Sequence, residues 1–373
     1  MLALTVVLSA AGCGSPASDP VRVVAATAVT ASQPAPAVGP AGLAAVRRAA
    51  ESDRGEFTLV VAGSPADGVR FPIVALRGDR VEHGPRREGE LAAHIDRAIA
   101  AVESAAPATG APDLLGALAE AARGTPGTLL VADSGVTVAD PVDLRRLGWE
   151  ADPAAVVADL RARDALPDLT GWDVLFSGLG RVAAGQKAPG IPQQHWLERF
   201  WLALCAGSGA RSCALDPLTG PPTTVAPATR TAPVVPVPEN RTVVSSDGVV
   251  EVTLPDSRLG FAPGSAALAD GADEALEPIV ARYRKGRYRI GVEGFVAFWG
   301  DEGYRANLSS ARAEAVARRL MELGVSPSDI TAAGRGAADG PEASTTAGEF
   351  DEQKVLANGL RRVVVTLEPS QTA

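Results

Sequence analysis

Lysine is nearly missing from this 373-residue chain: it occurs only at Lys187, Lys285 and Lys354, so the basic residues are almost all arginine. No Lys/Arg-rich run occurs, and the formal net charge is −9. An acidic chain with no basic stripe repels phosphate backbones, which excludes nucleic acid as an expected partner. Histidine is equally scarce. His83, His94 and His195 are scattered, and the last two lie in helix-like runs where a structural role is expected. The three cysteines form no CxxC pair, so the usual zinc spacing is missing. No GxSxG nucleophile elbow occurs. Residues 178–183 (GLGRVA) mimic GxGxxA, yet Pro189 and Pro192 leave little room for the helix that must face a pyrophosphate. Residues 180–187 have phosphate-loop spacing without the Lys-Ser/Thr pair that holds phosphate and Mg²⁺. These absences leave no expected enzyme active site, cofactor or metal.

What the chain does have is apolar residues, 46%, and length enough for two ordinary domains. Residues 1–13 (MLALTVVLSAAGC) form a short apolar run that ends in small residues and a Cys. The run is too short to span a bilayer as a helix and has the form of a signal-peptide core. Residues 10–13 (AAGC) resemble a lipobox, with Ala10 where Leu is commoner and no Lys or Arg ahead of the run. That resemblance implies a bacterial lipoprotein acylated at Cys13 and tethered by the flexible GSPASDP that follows. The expected location is the extracytoplasmic envelope, on the cell membrane or the outer membrane. In an exported protein, Cys205 and Cys213, separated by a Gly/Ser-rich turn, are expected to form a disulfide.

The sharpest boundary is the Pro/Thr-rich stretch 217–238, which suits an extended, semi-rigid linker. The expected organisation is a signal and tether (1–19), an α/β domain (20–215), a linker (216–244) and a second domain (245–370). In the first domain, apolar strand-like runs (21–29, 57–63, 69–76, 127–133, 172–178) alternate with helix-like runs (42–52, 90–104, 113–123, 152–164, 193–207). Asp152 followed by Pro153 suits a helix start. Continuous apolar strands between helices predict a mainly parallel sheet with helices on both faces. Trp196, Phe200 and Trp201 are expected in its core. The order of elements, with TLLVADSGVTVADPVDLR at 128–145, resembles a von Willebrand factor A-like domain. That family's metal site needs DxSxS after the first strand. Here residues 27–36 (TAVTASQPAP) contain no Asp, so a metal-free version is expected.

The second domain carries more specific motifs: FAPGSAAL (261–268), NLSSARAEAVARRLMELGVSPSDI (307–330), AGRGAADGP (333–341) and LRRVVVTL (360–367). The long run closely resembles the LSxxRAxxVxxxLxxxGV signature of OmpA-like domains, carried by Leu308, Ser309, Arg312, Ala313, Val316, Leu320, Gly324 and Val325. An apolar stripe over 308–323 supports a helix there, with Gly324 where its C-terminal cap belongs. The resemblance implies an α+β domain with a mixed sheet and helices on one face. It also implies non-covalent binding of peptidoglycan stem peptides, whose diaminopimelate end presents a carboxylate and an ammonium. A receptor for it needs an Arg fork and an Asp. The Arg maps to Arg312, and the family's Asn maps to Arg305. Arg361, the first Arg of the closing motif, is a weaker candidate and reads more simply as an edge-strand surface charge. The family's Asp maps to Ala297, and Asp301, Glu302 and Glu293 are the nearby carboxylates that offer a replacement. Phe295, Phe298 and Trp299 make this edge unusually apolar. Two functions follow as expectations. One is a lipoprotein that tethers membrane to wall. The alternative is an interaction adaptor, in which the N-terminal domain binds a protein partner and the OmpA-like domain no longer binds peptidoglycan.

Overall fold

The computed structural model describes residues 20–30, 33–63, 69–77, 80–106, 113–183, 185–220, 233–297, 300–337 and 360–370. Cys13, most of the Pro/Thr-rich stretch, the end of the Gly-x-Gly motif, and Phe298 and Trp299 lie outside them. Among the described residues no helix is long and apolar enough to cross a membrane.

The N-terminal half runs β1 (Val21–Thr27), α1 (Pro40–Glu51), β2 (Gly55–Val61), β3 (Val69–Pro72), the short β4 (Leu76–Arg77) and β5 (Arg80–Val81), α2 (Arg87–Glu103), α3 (Leu114–Ala121) and β6 (Thr128–Ala132). It continues with the short β7 (Val138–Ala139), β8 (Val142–Asp143) and α4 (Leu144–Leu147), then α5 (Pro153–Ala162), β9 (Asp173–Ser177), α6 (Ile191–Gly207) and β10 (Ser212–Leu215). The main sheet has the order β10-β9-β6-β1-β2-β3. All its pairs are parallel except β2 with β3. The central strand explains the continuous apolar run: Val23 and Ala25 pack with α1 and α2 residues such as Val46 and Val102. Val24 and Ala26 pack on the opposite face with Leu118, Phe200 and Trp201. A strand covered on both faces has no polar side to alternate with. Asp113 and Asp152 cap α3 and α5 by accepting from Gly116 N and Ala154 N. Trp196, Phe200 and Trp201 are buried and in ring contact. Cys205 and Cys213 are disulfide-bonded, joining α6 to the edge strand β10.

The C-terminal half runs β11 (Arg241–Val244), β12 (Val250–Pro255), α7 (Asp256–Leu259), α8 (Asp273–Tyr283), β13 (Tyr288–Val296), α9 (Glu302–Glu322), β14 (Ile330–Ala337) and β15 (Arg362–Pro369). The sheet order is β11-β12-β15-β13-β14, parallel only between β13 and β14. Helices α8 and α9 cover one face through Leu276, Ile279, Val316 and Leu320, which meet Val252, Val292 and Val365. Strand β11 lies within the stretch expected as linker, as does Asp216, which packs into the N-terminal domain.

Glycine explains why α9 sits so close to the sheet. A Cβ added to Gly294 of β13 would lie 2.2 Å from Ser309 O, and one added to Gly334 of β14 would lie 2.3 Å from Ser310 N. Only a residue without a side chain permits that approach. Ser309 is fully buried at the contact, and its hydroxyl accepts from Gly336 N at 2.9 Å. The LSxxRA motif and the Gly-x-Gly motif are thus two sides of one helix–strand junction.

The halves are docked. The last residues of the Pro/Thr-rich stretch lie on the N-terminal domain: the Gln186 side chain both donates to Val235 O and accepts from Val235 N, at 2.8 Å each. Trp149 Nε1 donates to Pro236 O at 2.7 Å. Asn240 then donates to Ala275 O in the C-terminal domain at 2.8 Å. The end of the expected spacer is therefore a bound strap.

Candidate functional site

Arg312 projects from α9 into the interior. Its side chain is 2% exposed and faces Asp256, 4% exposed, at 3.3 Å. Arg312 Nε donates to Ser265 O at 2.9 Å and Nη2 to Ala262 O at 3.4 Å. Its guanidinium carbon lies 4.7 Å from the centre of the Phe261 ring. The turn from Asp256 to Ser265 thus wraps the cation with a carboxylate, two carbonyls and an aromatic ring. The guanidinium that the resemblance assigns to a ligand carboxylate is therefore satisfied by groups of the protein itself. The helix phase is the reason: Arg312 shares a face with Val316 and Leu320, four and eight residues on, and that face is the core.

Asp256 is shared. Arg361 Nε lies 3.7 Å from it, and Asp256 N donates to Arg361 O at 3.1 Å. Burial pushes the Asp256 carboxyl above its ordinary value, opposed by Arg312 and then Arg361. Burial likewise pulls Arg312 down, opposed by Asp256. A guanidinium keeps its charge in proteins, and two of them flank this carboxylate, so the group is an ion cluster. The edge-strand reading of Arg361 is corrected. Strand β15 lies inside the sheet, not at its edge, and the Arg361 side chain is 15% exposed. Its Nη2 donates across the domain boundary to Glu150 O at 2.6 Å.

Arg305 stays near the surface at the start of α9, where Nη1 donates to Gly300 O at 2.5 Å. Asp301 caps that helix by accepting from Tyr304 N at 2.8 Å, and Glu293 pairs with Arg335. Ala297 is buried. The structure therefore joins Arg312 to Arg361 through Asp256 and leaves Arg305 outside the cluster. Asp256 is absent from the sequence-based candidates, although its position, directly after an apolar strand with Leu259 and Phe261 following, marks it as a carboxylate at the edge of the core.

The N-terminal sheet has its own buried carboxylate. Asp133, at the end of β6, accepts from Ala28 N and Gly135 N at 2.8 Å and from Thr27 Oγ1 and Gln33 Nε2 at 3.4 Å. Burial pushes its pKa up, against those four bonds. A metal of the A-like kind does not fit here: Asp133 is saturated by protein donors, and no DxSxS follows β1. Beside it, Asp216 accepts from Ala41 N and Gly42 N at 2.9 and 2.8 Å, so an internal carboxylate occupies the start of α1. A cleft of about 550 Å³ at this end of the sheet is lined by Asp133, Ser134, Ser177 and Arg181.

Solved structures similar to this chain include a putative MotB-like protein from Desulfovibrio vulgaris, 28% identical over 36% of this chain and 81% of that one, with a TM-score of 0.28. Another is the cell wall anchor of the T6SS from Pseudomonas aeruginosa, 26% identical over 35% and 89%, with a TM-score of 0.29. A third is the OmpA-like domain of FopA1 from Francisella tularensis, 20% identical over 36% and 82%, with a TM-score of 0.26. No curated protein matches the chain. The C-terminal domain is OmpA-like: residues 260–354 match the model of the OmpA family.

Proposed function

We propose that this chain is an extracytoplasmic envelope protein whose OmpA-like domain associates non-covalently with peptidoglycan. The observation that carries the reading is the family match over residues 260–354, which includes the Arg312 motif. The ligand is the diaminopimelate end of a stem peptide, and its carboxylate is the group a guanidinium fork receives. Arg312 is that fork. Because Asp256, Ala262 O and Ser265 O already satisfy it, binding requires the turn 256–265 to give way. Lipid at Cys13 supplies the second attachment, and two weak attachments in one chain reinforce each other. The N-terminal domain belongs to this reading as a metal-free, von Willebrand A-like module that meets a protein partner.

A second reading rests on the sealed Arg312 and on Ala297 in the acidic position. In it the OmpA-like domain is a scaffold, and the protein is an envelope adaptor. Co-sedimentation of the full chain with purified sacculi separates the two. Partial retention that free diaminopimelate-containing tripeptide competes away supports wall binding. Retention no greater than that of an unrelated acidic protein, including for the loosened variant described below, overturns it in favour of the adaptor.

A further inference from the structure

The turn that seals Arg312 is held from outside its own domain. Gln193, near the start of α6, is 1% exposed, and its Nε2 donates to Ser257 O at 2.7 Å, one residue beyond Asp256. Glu150 O accepts from Arg361, the second cation on Asp256. Two positive-φ glycines let α6 come this close. A Cβ on Gly271 (φ +85°) would lie 2.3 Å from Ile191 Cβ, and one on Gly260 (φ +67°) would lie 3.3 Å from Pro192 Cβ. The N-terminal domain therefore clamps both ends of the ion cluster, through the backbone at 257 and through Arg361.

We infer that the N-terminal domain is an autoinhibitory clamp on the OmpA-like domain, and that its undocking frees the turn 256–265 to uncover Arg312. The inference rests on the wall-binding reading and adds its regulation. Docked, Asp256 and the carbonyls of 262 and 265 occupy the cation as a ligand carboxylate would. Undocked, Ser257 loses its donor and Arg361 loses Glu150 O. Arg361 can then hold Asp256 alone, and the Arg312 fork is released to a stem-peptide carboxylate. Apparent affinity scales with the fraction of molecules in the competent state. A protein partner that separates α6 from the turn would act as the activator.

The test uses the full chain with Ile191→Ser and Gln193→Ala together. These residues lie at the domain contact, outside the ion cluster. Small-angle scattering reports whether the domains separate, and near-ultraviolet circular dichroism reports whether each remains folded. The loosened variant is expected to bind sacculi about tenfold more tightly than the parent, the effect of losing one to two hydrogen bonds from the closed state. Adding Arg312→Lys should abolish the gain, and free diaminopimelate tripeptide should compete with it. Equal binding by parent and separated variant overturns the clamp and leaves wall binding standing. Binding by neither, with separation seen in scattering, overturns wall binding itself.

Discussion

Arg312 and Asp256 face each other at 3.3 Å inside the C-terminal domain, one from the long helix and one from the turn that closes over it, with 2% and 4% of their side chains exposed. A pair this deep is costly to break from one side, because the surviving charge stays buried. Arg312→Met is therefore expected to destabilise the domain by about 3–5 kcal/mol. Asp256→Leu combined with Arg312→Met should recover part of that loss, since it removes both buried charges of the pair but also takes from Arg361 the carboxylate it shares. Urea unfolding of the two variants beside the parent checks both expectations. Equal stability of the single and double variants would remove the ion pair from the account.

Asp133 sets a pH dependence in the N-terminal domain. Its carboxyl is pushed up by burial, so the folded state holds this proton more tightly than the unfolded state does. Through this group, then, acidification from neutral toward the ordinary carboxylate range favours folding, and rising pH removes that contribution. Asp133→Asn should flatten this part of the profile. The amide also presents a donor where the carboxylate accepts from Ala28 N and Gly135 N, which should cost about 1–3 kcal/mol at neutral pH. Thermal unfolding at several pH values for both proteins gives the slopes.

Asp216 joins the end of β10 to the start of α1. Gly39, at the N-cap of α1, offers no side chain, and Asp216 accepts from Ala41 N, Gly42 N and Ser177 Oγ in its place. Asp216→Ala strands those donors and should cost about 1–3 kcal/mol. Hydrogen exchange should localise the loss to the first turn of α1. Unchanged protection there would contradict the capping role.

The Cys205–Cys213 bond closes a segment with a sequence separation of 8. A loop of that size constrains the unfolded chain by about 2–3 kcal/mol. The Cys205→Ala/Cys213→Ala protein should lose that amount in urea unfolding, and reducing agent should then have no further effect on it. The parent should lose a similar amount on reduction.

Much of this architecture is legible in the residues. Strands β1, β6 and β9 announce themselves through apolar stretches without alternation (23–26, 129–132 and 174–176) because both their faces are covered. The signature of α9 shows through its stripe and through Gly324, which follows the helix end with φ +111°. Strand β12 also alternates, with Val250, Val252 and Leu254 inward, but it is not among the strands expected from the sequence. Strands β10 and β11 are not legible. Each has only four residues; β10 alternates between exposed and half-buried over too short a run to stand out, and β11 is exposed throughout. The site was half legible. The phase of α9 puts Arg312 on the same side as Val316 and Leu320, which already says that this cation points inward. What covers it, Asp256 from 56 residues away with the carbonyls of Ala262 and Ser265, is a product of tertiary packing. No local spacing encodes such a contact.

The most direct measurement is hydrogen exchange on the full chain while soluble diaminopimelate-containing tripeptide is titrated in. If the ligand carboxylate replaces Asp256 on Arg312, amides of 256–265 and of 191–194 should exchange faster as the peptide binds, while the strands around them hold their protection. Saturating peptide that leaves those segments as slow as before would show that the guanidinium is a permanent strut and that the wall is not its ligand.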